Sequence, residues 1–183
     1  MRIFLAIEFD METKAALALV QGKIRPFCVN GNFSREENLH LTVKFIGDTQ
    51  KLDEICKIAD DAARGISPFN IELKELGAFN KGGRNIFWTG VNGGNELKRM
   101  HIAAQNGLIA CGIINTREDY RPHITLVREA RLNCGLDDAL RTIITPDLFF
   151  KVTGISVMES TRVAGKLTYL RRHFAPFKGE DSL

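Results

Sequence analysis

Two short motifs of the same pattern, each with a histidine and a threonine, stand 83 residues apart in the chain. The first motif is His40-Leu41-Thr42-Val43 and the second motif is His123-Ile124-Thr125-Leu126, and together they hold two of the four histidines. Each motif lies in a run of alternating apolar and polar residues, a pattern that predicts a β-strand. Because successive side chains of a strand point to opposite faces, each histidine shares a face with the threonine of its motif. We expect the two faces to line a polar cleft.

Two imidazoles that face each other suit a reaction in which one proton is removed while another is delivered. The free side chain titrates at a pKa of roughly 6.5, so one histidine can act as a base while the other acts as an acid. Threonine hydroxyls can donate hydrogen bonds to a phosphoryl oxygen, and arginine or lysine can balance its charge. In-line displacement places the entering and the leaving oxygen on opposite sides of phosphorus, so one histidine on each side would serve both oxygens. The reaction does not require a metal. Zinc is the main chemical alternative, but neither motif offers a third protein ligand.

Strict alternation also assigns faces to the residues beside the motifs. The face opposite His40 is expected to be core, and it carries Leu39, Leu41, Val43 and Phe45. Lys44 shares the His40 face and is a possible substrate contact, as is Arg121 beside the second motif. Further basic residues favour an anionic substrate, and they are Arg128, Arg162, Lys166, Arg171 and Arg172.

The composition is that of an ordinary globular protein. With 183 residues and 44% hydrophobic content, the chain can bury a core as one domain or two small packed lobes. A net charge of +3 does not indicate a protein that coats nucleic acid through bulk charge. No apolar run is long enough for a membrane span, and the amino terminus is too short and too quickly acidic for a signal peptide, so we expect a cytoplasmic protein. The four cysteines lack paired spacing and are expected to be reduced thiols.

The duplication extends beyond the motifs. When the sequence is shifted by 83 residues, the predicted helices and strands of one half coincide with those of the other. The predicted helices are 11–25, 52–63, 94–109 and 136–144, and the predicted strands outside the motifs are 2–8, 69–76, 85–91, 148–158 and 167–173. In this prediction the first strand alone has no counterpart.

This pattern predicts an α+β protein with a bilobal, pseudo-symmetric duplication. Each lobe is expected to be an antiparallel-rich sheet with two helices, and the motif strands are expected to line a central cleft. We predict one domain over residues 1–183, with approximate internal repeats at 11–91 and 94–173 and a frayed end at Asp181–Leu183.

Several segments together resemble the two-histidine (HxTx) phosphoesterase superfamily. Within it, the chain is similar to the RNA 2′,3′-cyclic phosphodiesterases, historically called bacterial and archaeal 2′-5′ RNA ligases. The resemblance spans nearly the whole chain, and the segments that carry it are Arg2–Glu8, Glu37–Gly47, Arg121–Arg128 and Met158–Ser160 followed by Tyr169. The final hairpin departs from the family pattern, because Val163-Ala164-Gly165 stands where the family commonly has Gly-Pro. This departure puts contacts from that loop in doubt.

The resemblance implies an activity and a role for each matched residue. It implies hydrolysis of RNA 2′,3′-cyclic phosphate ends to 2′-phosphates, without a cofactor. It implies that His40 is the proton donor to the departing 3′ oxygen and that His123 is the proton acceptor that activates water. It further implies that Thr42 and Thr125 bind the phosphoryl oxygens, with Arg128 and Tyr169 as additional candidates. Strict alternation places Arg128 opposite His123, unless a bulge or the end of the strand reorients it.

Other functions stay open on the sequence. The partner is expected to be RNA with a 2′,3′-cyclic phosphate terminus or a related nucleotide, and nothing indicates a membrane or an obligatory protein partner. A cyclic phosphodiesterase acting on a small nucleotide or on an ADP-ribose cyclic phosphate is the first alternative. The others are a weak 2′-5′ RNA ligase and a non-catalytic RNA-binding module. The sequence holds no nucleotide-binding lysine motif or phosphate-binding glycine loop to drive ligation, and pure binding does not need a paired acid and base.

Overall fold

The computed structural model of the protein describes residues 1–178, in which nine β-strands and four α-helices alternate with short loops. The predicted frayed end at Asp181–Leu183 lies outside the described residues. The strands are β1 (Arg2–Glu8), β2 (Cys28–Phe33), β3 (His40–Asp48), β4 (Phe69–Lys81), β5 (Arg84–Asn92), β6 (His123–Leu132), β7 (Phe149–Val152), β8 (Gly154–Val163) and β9 (Lys166–Pro176). The helices are α1 (Met11–Ile24), α2 (Leu52–Ala63), α3 (Gly94–Ala110) and α4 (Leu136–Thr142).

The strands form two sheets in which every pair is antiparallel. The first sheet has the order β3-β1-β8-β9 and the second sheet has the order β2-β6-β5-β4-β7, so each sheet holds one of the two motif strands. Helices α2 and α3 pack together against the first sheet, and α1 lies against β6 of the second. The predicted α+β class with antiparallel sheets is confirmed.

Each sheet combines strands from both halves of the sequence. The first motif strand, β3, pairs with β1, which in turn pairs with β8 from the second half. The second motif strand, β6, pairs with β5 from the first half. Hydrophobic periodicity predicts where a strand is but carries no information about its neighbour in the sheet. The sequence shift therefore matches some strands in corresponding places, such as β1 and β5, which each pair with a motif strand, and others in different places, such as β5 and β9.

Two local predictions differ from the structure. Strand β2 was not predicted, because Cys28–Phe33 contains two asparagines and a glycine and has half-buried or exposed side chains throughout. It also has no counterpart under the 83-residue shift, whereas β1 at 2–8 falls on β5. The predicted strand 148–158 is two strands, which are separated at Thr153 and pair with β4 and β1 in different sheets.

The same irregularity interrupts both motif strands just after the threonine. In β3 the register against β1 skips Val43, and in β6 the register against β5 skips Leu126. Over six residues from each histidine the burial pattern is identical, with two consecutive buried residues at the fourth and fifth positions. A β-bulge of this kind shifts the alternation by one residue, so the residues that directly follow it lie on the opposite face from the one that strict alternation assigns.

The bulge corrects two predictions made from strict alternation. Phe45 was predicted to lie in the core and is 49% exposed, with the Arg2 guanidinium 5.2 Å from its ring centre. Lys44 was predicted to share the His40 face and is instead only 4% exposed. Arg128 stands at the position of the second strand that corresponds to Phe45, and its side chain is exposed on the same face as Thr125.

One continuous hydrophobic core supports both sheets. It joins buried side chains of β1 and α2 with those of β6 and α3, for example Leu5, Ile55, Leu126 and Met100. Helix α1 begins at Asp10, whose carboxylate accepts a hydrogen bond from the Thr13 amide at 2.7 Å. All four cysteines are free, as predicted. Across residues 1–178, none of the helices combines the length and apolar composition that a membrane span needs.

Candidate active site

A cavity of about 270 Å³ lies between the two motif strands. Both sheets contribute to it, since His40 and Thr42 come from β3 and Thr125 and Arg128 come from β6. The remaining lining residues are Asn32, Phe33, Ser34, Arg35, Asn38, Lys166, Leu167 and Tyr169. The lining therefore contains three cations and no acidic residue, which is the electrostatic character of an anion site.

The His40 ring is held by a backbone carbonyl and by two aromatic rings. Its Nδ1 lies 2.7 Å from the Asn38 carbonyl oxygen, and its Nε2 lies 3.0 Å from the Thr42 hydroxyl. Because a carbonyl can only accept, Nδ1 carries the proton and the lone pair of the neutral ring is on Nε2. The rings of Phe4 and Tyr169 contact the imidazole at centroid distances of 5.0 and 5.1 Å.

The His123 ring is held in the same manner. Its Nδ1 lies 2.7 Å from the Arg121 carbonyl oxygen, so here too Nδ1 donates and Nε2 is available for proton transfer. Phe79 and Trp88 flank the ring at 5.7 and 6.1 Å. The Trp88 indole lies flat over Gly77, where a Cβ atom would come within 2.3 Å of it. In each motif the residue two places before the histidine supplies the carbonyl that orients the ring.

Burial and charge both act on the proton affinity of His40. Burial is the main cause that lowers the pKa of this imidazole, and the positive charges of Arg128 and Lys14 lower it further. The hydrogen bond to the Asn38 carbonyl and the negative charge of Glu8 oppose this shift in the pKa. In the unliganded protein the neutral form of His40 is therefore favoured. An anion bound beside His40 and Arg128 would favour the protonated form.

Of the three residues predicted as possible substrate contacts, only Tyr169 lies in the cavity between the motif strands. Tyr169 lines the cavity and touches His40 edge-on. Lys44 lies outside the cavity, because the bulge turns it inward, where its ammonium contacts Glu118 at 2.7 Å and Gln105 at 3.0 Å. Arg121 also lies outside it, and its side chain lines a second cavity of about 650 Å³ beside α3. His123 is not among the residues that line the cavity between the motif strands.

A buried aromatic pair ties the backbone of the first motif to the segment that precedes the second. The Tyr120 hydroxyl donates to the Thr42 carbonyl oxygen at 3.1 Å, and His101 donates through Nδ1 to the Val43 carbonyl oxygen at 2.9 Å. The two rings stack with their centres 4.2 Å apart. Burial raises the pKa of Tyr120, so this hydroxyl remains a donor at all ordinary pH values. His101 is thus a structural residue.

Sequence reasoning missed the residues that close the cavity on the side of β2 and β9. Asn38 uses its carbonyl to hold His40 and its side-chain amide to bind the Leu167 carbonyl oxygen at 3.0 Å. Ser34 donates to the Thr125 carbonyl oxygen at 3.0 Å. A signal for Asn38 did exist, because it precedes His40 by two residues, as Arg121 precedes His123. No sequence signal predicts that the loop before β3 contacts the hairpin of β8 and β9.

Repeated His-x-Thr strands around one basic cavity are typical of the two-histidine phosphoesterases. The model of the 2′-5′ RNA ligase superfamily matches residues 16–164, and the chain belongs to this superfamily. A Thermotoga maritima relative named RNA 2′,3′-cyclic phosphodiesterase is 32% identical over 164 residues, which cover 88% of this chain and 87% of that protein. A relative of the same name from Methanothermobacter thermautotrophicus is 30% identical and covers 69% of this chain and 70% of its own.

Solved structures share the fold at low sequence identity. The Thermus thermophilus protein TT0787 aligns with a TM-score of 0.80 and 24% identity, over 98% of this chain and 100% of its own. The E. coli protein LigT, crystallised with 3′-AMP, aligns with a TM-score of 0.77 and 21% identity, over 96% of this chain and 97% of its own. These similarities support the fold.

Proposed function

We propose that the protein hydrolyses RNA 2′,3′-cyclic phosphate ends to 2′-phosphates by metal-independent acid and base catalysis with His40 and His123. The general activity is that of its relatives, a hydrolase acting on a cyclic phosphodiester. We expect the substrate to be RNA in the cytoplasm. The observation that carries the mechanism is the matching hydrogen bond from Nδ1 of each histidine to a carbonyl two residues earlier. It fixes the tautomer of both rings and reserves both Nε2 atoms for proton transfer.

The proposed reaction is a single displacement at phosphorus. His123 accepts a proton from water through Nε2 while the water oxygen forms a bond to phosphorus. The bond from phosphorus to the 3′ oxygen breaks, and protonated His40 delivers the proton of its Nε2 to that oxygen. The product is a 2′-phosphate with a free 3′ hydroxyl, and the two histidines have exchanged protonation states. Before the next cycle His123 releases its proton to solvent and His40 takes one up from solvent.

Thr42, Thr125 and Arg128, which line the cavity, would stabilise the charge that develops at phosphorus. Thr42 and Thr125 can donate hydroxyl hydrogen bonds to the non-bridging oxygens, and Arg128 can donate to one of them while balancing its charge. Thr42 also lies 3.0 Å from Nε2 of His40, so a phosphoryl oxygen bound by this hydroxyl would lie beside the proton donor. The contact thus couples phosphate binding to the position of the proton.

The direct test is to incubate chelator-treated protein with an RNA oligonucleotide that ends in a 2′,3′-cyclic phosphate. We expect full turnover in the presence of EDTA, since residues 1–178 contain no three His, Cys, Asp or Glu side chains placed to hold a metal ion together. Phosphorus NMR should identify the product as the 2′-phosphate. Loss of activity that zinc or manganese restores would contradict the metal-free mechanism, and a 3′-phosphate product would reverse the assigned geometry.

The pH dependence follows from the environment of His40. Because burial and Arg128 lower the pKa of this general acid, the protonated form is lost at lower pH than for an ordinary histidine. The pH dependence of kcat/KM reports the free enzyme. The midpoint of its alkaline limb should therefore lie at a pH below roughly 6.5, the pKa of an ordinary histidine. The alkaline limb of kcat should lie at higher pH, because the bound anion favours protonated His40. Steady-state rates measured from acid to alkaline pH check both limbs, and coincident limbs would contradict the role given to the anion.

A further inference from the structure

The cavity extends well beyond the residues needed to hold one phosphoryl group. The part that adjoins His40 and Thr125 accounts for the reacting phosphate, as proposed above. The far wall is made by the loop before β3 and by the turn of the hairpin between β8 and β9, which contribute Arg35 and Lys166. No carboxylate lines this wall. The proposed reaction uses neither Arg35 nor Lys166, so it does not explain why two cations line the cavity here.

The two cations differ in how far their charges are already satisfied. The Arg35 guanidinium pairs with the carboxylate of Glu37 at 3.1 Å and donates to the Leu167 carbonyl oxygen. By contrast, across residues 1–178 no carboxylate pairs with the Lys166 ammonium, and it donates no hydrogen bond. Two other cations on the same strand are paired, since Arg171 binds Glu8 and Arg172 binds Glu159. Lys166 therefore lines the cavity as an exposed residue whose charge is not balanced by a carboxylate.

The backbone of Lys166 is held in position relative to His40 by the hairpin turn and by hydrogen bonds to the next residue. It directly follows a tight turn in which Ala164 and Gly165 both have positive φ, at 50° and 77°, and it pairs with Val163 across the hairpin. The next residue, Leu167, receives hydrogen bonds at its carbonyl from both Arg35 and Asn38. Asn38 in turn orients His40 through its own carbonyl. One asparagine thus connects the hairpin that carries Lys166 with the proposed proton donor.

We propose that Lys166 binds a second phosphate of the substrate, the one attached to the 5′ oxygen of the terminal nucleotide. This inference rests on the proposed function. An RNA end carries this phosphodiester in addition to its cyclic phosphate, whereas a nucleoside 2′,3′-cyclic phosphate lacks it. Phe33, Leu167 and Tyr169 supply apolar surface in the same cavity, against which a terminal nucleoside can lie. The contact would make the enzyme prefer RNA ends, or nucleotides phosphorylated at the 5′ oxygen, over the bare nucleoside.

The test compares adenosine 2′,3′-cyclic phosphate with its 5′-phosphorylated form and with the dinucleotide that ends in the same cyclic phosphate. Wild-type protein should give a higher kcat/KM for the two substrates that carry the additional phosphate. Lys166→Ala should lower this preference by roughly fivefold, mainly through KM, as expected for one exposed ionic contact. It should also make kcat/KM for the dinucleotide less sensitive to salt, because one ionic contact is removed. Lys166→Arg should keep most of the preference.

Matched controls separate this subsite from the catalytic site. Lys151→Ala removes an exposed lysine from β7, which does not line the cavity, and it should leave the preference and the salt sensitivity unchanged. An equal loss on all three substrates, or no loss of preference in Lys166→Ala, would overturn the subsite while the proposed function stood. If wild-type protein hydrolysed none of the three, the proposed function would be wrong and the subsite would fall with it.

Discussion

Replacing either His40 or His123 with alanine is expected to lower kcat by about 10²- to 10⁴-fold, the range for the loss of a positioned acid or base. Each ring would be replaced by a side chain that cannot carry a proton, while the strand backbone that holds the motif would remain. The double variant should lose less than the product of the single losses, because the two residues act in one step. Single-turnover hydrolysis of an RNA 2′,3′-cyclic phosphate measures each loss directly.

His173→Ala is the matched control for these variants. His173 contacts Asp60 at 2.7 Å on the surface between β9 and α2, and it does not line the cavity. Its replacement should leave kcat within a factor of about two, since exposed ion pairs contribute little. Thermal melting of all the variants distinguishes a catalytic loss from a folding defect. Near wild-type turnover in either His40→Ala or His123→Ala would contradict the paired mechanism.

Much of the fold could be predicted because the periodicity of its elements is strong. Strand β1 has the bounds predicted for it, and helix α2 contains the apolar residues from which it was predicted. The path of the chain between sheets could not be predicted in this way. Strand β9 matches β5 under the sequence shift, yet β5 pairs with a motif strand and β9 pairs only with β8. Strand order depends on long-range hydrogen bonds that leave no local pattern.

The bulges mark the limit of prediction within the site. The histidines and threonines precede the bulge, so simple alternation assigns them correctly to one face of each strand. The residues after the bulge are reversed, which turns Lys44 into a buried partner of Glu118 and brings Arg128 to the cavity. A single extra residue in the register reverses the side chains that directly follow it. Each bulge is defined by pairing with a strand that is distant in sequence, β1 for β3 and β5 for β6. Local periodicity therefore does not predict it.

The bulge in β6 gives a second prediction with a large effect. Arg128 combines a charge that acts on His40 with donors that can reach a phosphoryl oxygen, and across residues 1–178 it forms no ion pair with a carboxylate. Arg128→Ala is expected to lower kcat/KM by about 10²-fold, as for removal of one preorganised donor to a developing charge. Arg131→Ala, an exposed arginine further along the same strand, is the matched control and should have little effect.

Arg128→Ala should also move the alkaline limb of the pH profile to higher pH while it lowers the rate. Arg128 lowers the pKa of His40, so its removal should raise that pKa and move the alkaline limb of kcat/KM to higher pH, even though the rate has fallen. Arg128→Lys retains the charge but not the two-pronged donor, so it should keep the position of the limb while recovering only part of the rate. An Arg128→Ala variant with a lower rate and an unmoved limb would show that Arg128 binds phosphate without acting on His40. A moved limb with an unchanged rate would show that its charge reaches His40 but that its donors do not bind the substrate.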